Sequence, residues 1–462
     1  PDIADKLLKE WHIEPVWHID RGKYPKLEYK VQYGESDYAF LSRLLEEAGI
    51  AFTLPDDDKA GSKLTLGDSL HTAALRGAPI HYVDNPNQAS EQEFVTGVQL
   101  SHEVRPGAHT IRDHDFRNPG FGLFGEAHKA KAPENHYEQY QYLPGAFLVE
   151  TGKGGGTPVA DDKGIARYDH VSGNERAERA LLGGRMGRVG VTFGTNTVDL
   201  WPGVAFSIGG HPHEELAEGK KLLVTAFSIE GETGEKWDMS GHAVFAEVPY
   251  RPPLLTPKPE VIGVQSATVV GPHGQEIHTD EFGRVRVQFP WDREGKKNER
   301  SSCWIPVSQA WGGASFGAVS LPRVGQEVLV HFLHGDPDRP VGIARKINGV
   351  MTPTYSQPGN KSMMTIKTES YPGKAGYNEL RLEDMAGAMR FDIRAERDLV
   401  GEVRNDKTEI VGNDETHLVQ RSFQHSVERD QTRKVGANEK LGVGANHEIS
   451  IGSSQSWTVG GS

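Results

Sequence analysis

From Val403 onward a β-branched apolar residue recurs at every eighth position: Val403, Val411, Val419, Val427, Val435, Val443, Ile451 and Val459. An α-helix needs an apolar period near 3.6, a coiled coil 3.5 with two apolar positions per heptad, and a half-buried strand 2. None of these gives an eight-residue beat, whereas one short strand per repeat followed by a bend does. Gly412, Gly436, Gly444, Gly452 and Gly460 directly follow the apolar position, with Asn413-Asp414, Ala437-Asn438 and Ala445-Asn446 next. Gly, Asn and Asp turn a backbone at least cost. The rest of each octad is polar, as in Lys407-Thr408-Glu409, so one repeat has almost no apolar face to bury. A single chain cannot hold such a form. Three chains wound about one axis can: each octad spans one face of a triangular prism, its Val or Ile points inward, and neighbouring chains leave no strand edge unpaired. A disordered polar tail would not keep register over eight repeats. The octad from Val419 to Ser426 lacks the turn residues and carries the bulky Phe423, which predicts a local irregularity rather than a break.

The rest of the chain divides at proline-rich seams. With 462 residues and 36% hydrophobic content it is long enough for roughly three domains with cores. Arg251-Pro252-Pro253 through Pro257-Lys258-Pro259 reads as an extended linker, because proline fixes φ and biases its predecessor away from helix. A second seam runs from Met351 to Asn360. Between them, strand signals at Ala267–Val270, Val285–Phe289, Trp304–Val307, Ala318–Pro322, Glu327–Phe332 and Val341–Ala344 suggest a small closed barrel. Upstream the pattern is mixed. Ser36 can cap a helix that stops at Gly49, further helices are predicted over Asp5–Trp11 and Asn174–Arg188, and Ala205–Ile208 and Leu222–Ile229 read as β. Gly152–Thr157 reads as a loop without the Gly-Lys-Ser/Thr ending of a phosphate-binding loop. The fold class expected is mainly β with some α, divided as 1–250 base region, 251–262 linker, 263–350 barrel, 351–400 lead-in and 401–462 octad rod.

A net charge of −13, without a Lys/Arg run to override it, disfavours nucleic-acid binding or retention on anionic lipid. Cys303 is the sole cysteine, so no intrachain disulfide can form, and it reads as a small core residue. No signal peptide or membrane-length apolar run is visible, so export would need another route. The chain lacks an initiator Met and stops in mid-repeat, so both ends read as cuts. Chemistry is weakly supported. His211-Pro212-His213 has no third ligand nearby and reads as a surface loop; His331 and His334 flank a strand end; Glu46-Glu47 and Asp56-Asp57-Asp58 read as solvated charge. Gly335-Asp336-Pro337-Asp338-Arg339-Pro340 reads as a rigid turn between barrel strands. No catalytic, cofactor or metal residue is assigned, and the site residues are the eight axis positions.

Four ordered segments carry a specific resemblance. Ile277-His278-Thr279-Asp280-Glu281-Phe282-Gly283-Arg284-Val285-Arg286-Val287-Gln288-Phe289, Trp304-Ile305-Pro306-Val307-Ser308-Gln309-Ala310-Trp311, Pro322-Arg323-Val324-Gly325-Gln326-Glu327-Val328 and Gly335 to Pro340 resemble the OB-fold domain of VgrG proteins, the spikes of type VI secretion systems. Asn378 to Asp384 with Ala395 to Asp398 is similar to that family's lead-in to its needle, and Tyr33 to Ser36 with Phe40 to Leu44 is similar upstream. The family is related to the hub and spike of contractile-tailed phages. The resemblance implies a homotrimer with barrel-like base domains, an OB-fold collar and a triple-stranded β-helix needle. The chain starts near the family's second base domain, so most of the first barrel is missing. As partners it implies a tail-tube protein at the base, a tip-capping protein and effectors at the needle end, and transient contact with a target membrane. As location it implies cytoplasmic assembly followed by secretion through the apparatus.

Two functional classes compete. A puncturing spike works mechanically, since a narrow rod concentrates force. A cell-wall-degrading spike would need a lysozyme domain between barrel and needle, and the stretch from Ile347 to Val403 is too short for one and holds the lead-in instead. A phage or phage-like hub remains the alternative spike, and a trimeric adhesin fits the rod alone but not the OB-fold resemblance.

Overall fold

The computed structural model describes residues 1–462 except 28, 57–60, 86–90, 117–118, 120–121, 146–169, 235–236, 374 and 462. The Gly152–Thr157 loop expected from sequence lies outside the described residues. The chain divides into two units, Pro1–Glu396 and Arg397–Ser462.

The first unit opens with α1 (Asp2–Glu10), β1 (Val16–His18), α2 (Asp37–Ala48), β2 (Ala51–Thr53) and β3 (Thr65–Gly67). The caps of α2 are those its sequence announces. The Ser36 hydroxyl accepts from the Ala39 N–H, and Gly49 takes a left-handed conformation with φ of 71° that ends the helix. Leu8, Leu45, Ile50 and Leu66 form the core beneath it.

Next come β4 (Ile80–Tyr82) and β5 (Phe94–His102), then β6 (Ala108–Asp113), β7 (Leu123–Glu126) and β8 (Glu138–Tyr142). Helix α3 (His170–Gly184) follows, starting earlier than the expected Asn174. β9 (Val189–Thr195), β10 (Ala205–Phe206), β11 (Ile208–Gly209), β12 (Leu222–Glu230) and β13 (Asp238–Phe245) complete the base. Seven strands pair in the order β10-β12-β13-β9-β5-β4-β11. The two outermost strands are separated in sequence only by Ser207, so the sheet curls until its edges nearly meet. Its interior is packed with Val95, Val191, Phe193, Phe206, Ile208 and Val224. The sheet β7-β6-β8 stands apart and packs on α3 through Ile111, Leu123, Ala177 and Leu181.

The second barrel uses β14 (Val264–Val270), β15 (Arg286–Gln288), β16 (Trp311–Gly313), β17 (Phe316–Ala318), β18 (Glu327–Phe332) and β19 (Pro340–Lys346). The order β15-β14-β18-β19 forms one sheet. Its two ends are joined by residues 305–307, which bridge Val285 to Ile305 and Val307 to Gly342. The expected strand over Trp304–Val307 is therefore present only as isolated bridges, because Pro306 cannot donate to a ladder. The expected strand at Ala318–Pro322 is replaced by the hairpin β16-β17, whose two-residue turn Ala314-Ser315, with Ser315 at a φ of 64°, places the reversal earlier. Ala267, Val269, Val287, Ile305, Val330 and Phe332 fill this barrel. A last meander, β20 (Met363–Lys367), β21 (Glu379–Glu383) and β22 (Arg390–Arg394), closes the unit.

In the second unit the backbone bends at 404–405, 412–413, 420–421, 428–429, 436–437, 444–445 and 452–453, a period of eight without a skip. The expected irregularity after Val419 does not interrupt the register. Gln420-Arg421 makes the same bend, and the departure is confined to the exposed Phe423 ring stacked on His425.

Candidate assembly interface

Each bend in the second unit immediately follows one of the axis positions predicted from sequence, so bend and apolar residue share one beat. Among the described residues from 397 to 461, no backbone N–H bonds a backbone carbonyl of the same chain. The stretch is exposed throughout, so its backbone donors and acceptors are open to solvent or to another chain. Its apolar residues fall into two groups. Val403, Val411, Val419, Val427, Val435, Val443 and Ile451 are between 43% exposed at Val435 and 55% at Val403, whereas the off-beat large apolar residues run from 57% at Ile449 to 89% at Ile410. The octad positions are the more sheltered even in one chain; Val459, the last, is 85% exposed.

The meander at the end of the first unit has two unlike faces. On one, Met364, Leu382 and Phe391 pair across the strands, as do Ile366, Leu380 and Ile393. All six are apolar, and Met364, Ile366, Phe391 and Ile393 are exposed. On the other face Arg381 is 2.7 Å from Asp392, Lys367 and Arg394 lie over the Tyr377 ring, and the Glu379 carboxylate accepts from the Tyr355 hydroxyl at 2.6 Å. Donation from Tyr355 holds the Glu379 carboxyl below its usual range. The polar face is thus satisfied within the chain, while on the apolar face Met364, Ile366, Phe391 and Ile393 stay exposed among the described residues. Sequence reading missed this surface, although the alternation Met364-Thr365-Ile366-Lys367 and Leu380-Arg381-Leu382 carries its signal.

The acidic residues read as solvated charge are engaged instead. Glu46 accepts from the Leu255 and Thr256 amides at 2.9 Å each and from the Thr256 hydroxyl at 2.8 Å, fastening the proline-rich linker to α2. Glu47 meets Lys30 at 2.9 Å. Burial works against its charge, but Lys30 and Arg176 outweigh it and hold the carboxyl down to about 2. Asp338 is buried between Lys30 at 3.2 Å and Lys258 at 2.6 Å and accepts from the Val31 amide at 2.8 Å. The two ammoniums keep it ionised, below its usual range, against the cost of burial. The Gly335–Pro340 turn is therefore the point where the N-terminal segment, the linker and the second barrel are tied together. Of the Asp56-Asp57-Asp58 run only Asp56 lies in the described residues, where it accepts from Ser62. The His211 and His213 rings accept locally from the amides of His213 and Glu215. His331 lies on β18, opposite Val264 and Val341, and His334 packs edge-on to Tyr142. Among the described residues no group of three or more His, Cys, Asp and Glu side chains converges as a metal site would.

Residues 1–235 match the phage tail baseplate hub (GPD) family. The chain belongs to that family. Within this hub chain, residues 267–344 match the type VI secretion system/phage-baseplate injector OB domain, and residues 364–462 match the bacteriophage T4 gp5 C-terminal trimerisation domain. The hub chain is strongly homologous to VgrG spike proteins of Pseudomonas aeruginosa. It is 34% identical to type VI secretion system spike protein VgrG1b over 89% of its own length and 54% of that protein's. To VgrG5 it is 34% identical over 89% of itself and 52% of the relative. It thus spans about half the length of the curated relatives it matches. A solved E. coli protein, c3393, described as a type VI secretion system component with structural similarity to T4 tail proteins gp27 and gp5, aligns over 75% of this chain and 71% of its own at 18% identity and a TM-score of 0.43.

Proposed function

We propose that the chain is one subunit of a homotrimeric puncturing spike at the tip of a type VI secretion, or closely related contractile, injection apparatus. The observation that carries this reading is the octad unit: bends and sheltered β-branched residues in one eight-residue register, with no backbone pairing of its own. Three such chains satisfy one another. Each contributes a strand per level, and the Val or Ile side chains close a dry axis. The apolar face of β20-β21-β22 supplies a wider version of the same association just before the octads in sequence. The domain division 1–250, 251–262, 263–350, 351–400 and 401–462 belongs to this proposal. The OB-domain and trimerisation-domain matches and the charge-anchored linker support it.

The mechanism is mechanical. Every backbone group of the rod is paired between chains, so bending or fraying it breaks several hydrogen bonds at once, and force delivered at the base passes to a narrow tip. In this reading the base meets a tail-tube protein, the needle end bears a tip-capping protein and effectors, and the particle leaves the cell through the apparatus. We assign the chain no enzymatic activity; purified protein is expected not to hydrolyse peptidoglycan, phospholipid or nucleotides. Sedimentation equilibrium at micromolar concentration tests the central claim. A single species of three times the chain mass is expected, and a stable folded monomer refutes the spike.

A further inference from the structure

The second barrel is open at one side. A cavity of about 560 Å³ enters it, with Val287, Ile305 and Val330 of the core at its floor and Val319, Ile343 and Ile366 at its rim. A void of that size with apolar walls is costly if it stays wet and forfeits contacts if it stays empty. Beside it, the hairpin β16-β17 holds Trp311 and Phe316 in solvent at 62% and 60% exposure, their ring centroids 6.0 Å apart. A two-stranded hairpin of three residues per strand has no stability of its own, and aromatic side chains each bury roughly 150–250 Å² when they find a partner. The arm is nevertheless fixed at its base. The Gln309 carboxamide oxygen accepts from the Ser320 amide at 3.1 Å, and Arg345 donates to the Ser320 hydroxyl at 3.1 Å.

What links arm and mouth is Ile366. It lines the cavity rim and also belongs to the apolar face of β20-β21-β22, the face that the trimer proposed above would bury. The sheet is held against the barrel by Arg323, which donates to the Glu369 carbonyl at 2.6 Å, and by Glu276, which accepts from the Gly373 amide at 2.9 Å. A second copy seated on that face would lie against the same rim.

We infer that the Trp311–Phe316 hairpin of each copy seats in the open barrel mouth of the next. This is a head-to-tail contact, arm into mouth, and repeated three times it closes under threefold symmetry. The barrels then form an interlocked ring in which each core is completed by a neighbour's aromatic pair. The occupant is a second copy of this chain, so the inference rests on the trimeric assembly.

Disulfide trapping in the full chain tests it. In a Cys303→Ser background, Gly312→Cys places a thiol on the hairpin where an added Cβ meets nothing within 4 Å, and Ile343→Cys or Val319→Cys places one at the rim. After mild oxidation, a sample that sizes as a trimer is expected to run as covalent dimers and trimers on a non-reducing gel, with reductant reversing the ladder and neither single-cysteine variant giving it. A trimer that runs only as monomer for both rim positions, whether unlinked or linked within one chain, overturns the interlock and leaves the trimer standing. A protein that sizes as a monomer removes the trimer and the interlock together. As a measurement that needs no added thiol, Trp311→Ala with Phe316→Ala is expected to lower the melting temperature of the trimer without changing its mass; an unchanged melt counts against the interlock.

Discussion

Ile410 and Val411 are neighbours of the same chemical class, yet the proposed rod assigns them opposite surroundings, which makes the pair a sharp test. Val411 is 48% exposed in one chain and sits on the eight-residue beat, whereas Ile410 is 89% exposed and off it. Val411→Asp would set three carboxylates at one level of a dry axis. Burying an unpaired ion costs several kcal/mol, so the carboxyls would instead stay protonated. Holding an aspartate neutral at pH 7 costs ~4 kcal/mol, or about 13 kcal/mol for the three chains of one level. The whole octad ladder, eight positions in each of three chains, contributes about 1 kcal/mol per residue from the side-chain surface still exposed, or roughly 24 kcal/mol. One substituted level thus cancels about half of it. Val411→Asp is expected to abolish detergent-resistant trimers at pH 7. It should recover partly near pH 4, because protonation needed in the assembled state is then nearly free. Ile410→Asp is expected to melt and resist detergent like the unaltered chain at both pH values. Equal tolerance of the two, or equal damage from both, would refute an axis lined by the octad residues.

Three further outcomes are expected. Along the shaft, strands from three chains spaced about 4.8 Å apart give a rise of about 34 Å from Val403 to Val459, measurable by electron cryomicroscopy; a rise several times larger would mean an extended tail. Ile366→Asp or Phe391→Asp should weaken trimers on sizing while leaving far-ultraviolet circular dichroism unchanged, and a folded trimer at full yield would count against burial of that face. Glu47 sits at about 2 against an ordinary 4.5, so its stabilisation is whole above about pH 4.5 and is lost as the pH falls toward 2. Glu47→Gln should cost ~3 kcal/mol at neutral pH in urea unfolding and flatten the acid limb, and an unchanged acid limb would refute the Lys30–Glu47 account.

What the sequence revealed depended on whether its signals were local. The ends of α2 were legible because Ser36 and Gly49 act on their own helix. The octad beat was legible because repetition multiplies a weak signal, enough to carry the register through Gln420-Arg421 without a turn residue. The near-closed seven-stranded barrel was not legible strand by strand, since β10 and β11 are two residues each and exist only through distant partners such as β12 and β4. Nor was the role of Glu46 and Glu47: a run of acids looks the same whether it meets water or, as here, linker amides and a half-buried lysine. The apolar face of β20-β21-β22 was legible in principle, but its short alternating runs lie far apart in sequence and line up only once register is known.

The regular bend at every eighth residue also makes the shaft a modular piece of genetic text. Because each octad repeats its neighbour's path, gaining or losing eight codons would lengthen or shorten the shaft by one rung, about 4.8 Å, and leave both ends facing as before. A change of four codons would set every later valine half a repeat out of step with the bends. Length in such a molecule therefore changes in whole steps, and lineages can adjust reach by slippage between near-identical repeats without redesigning the barrels that carry it.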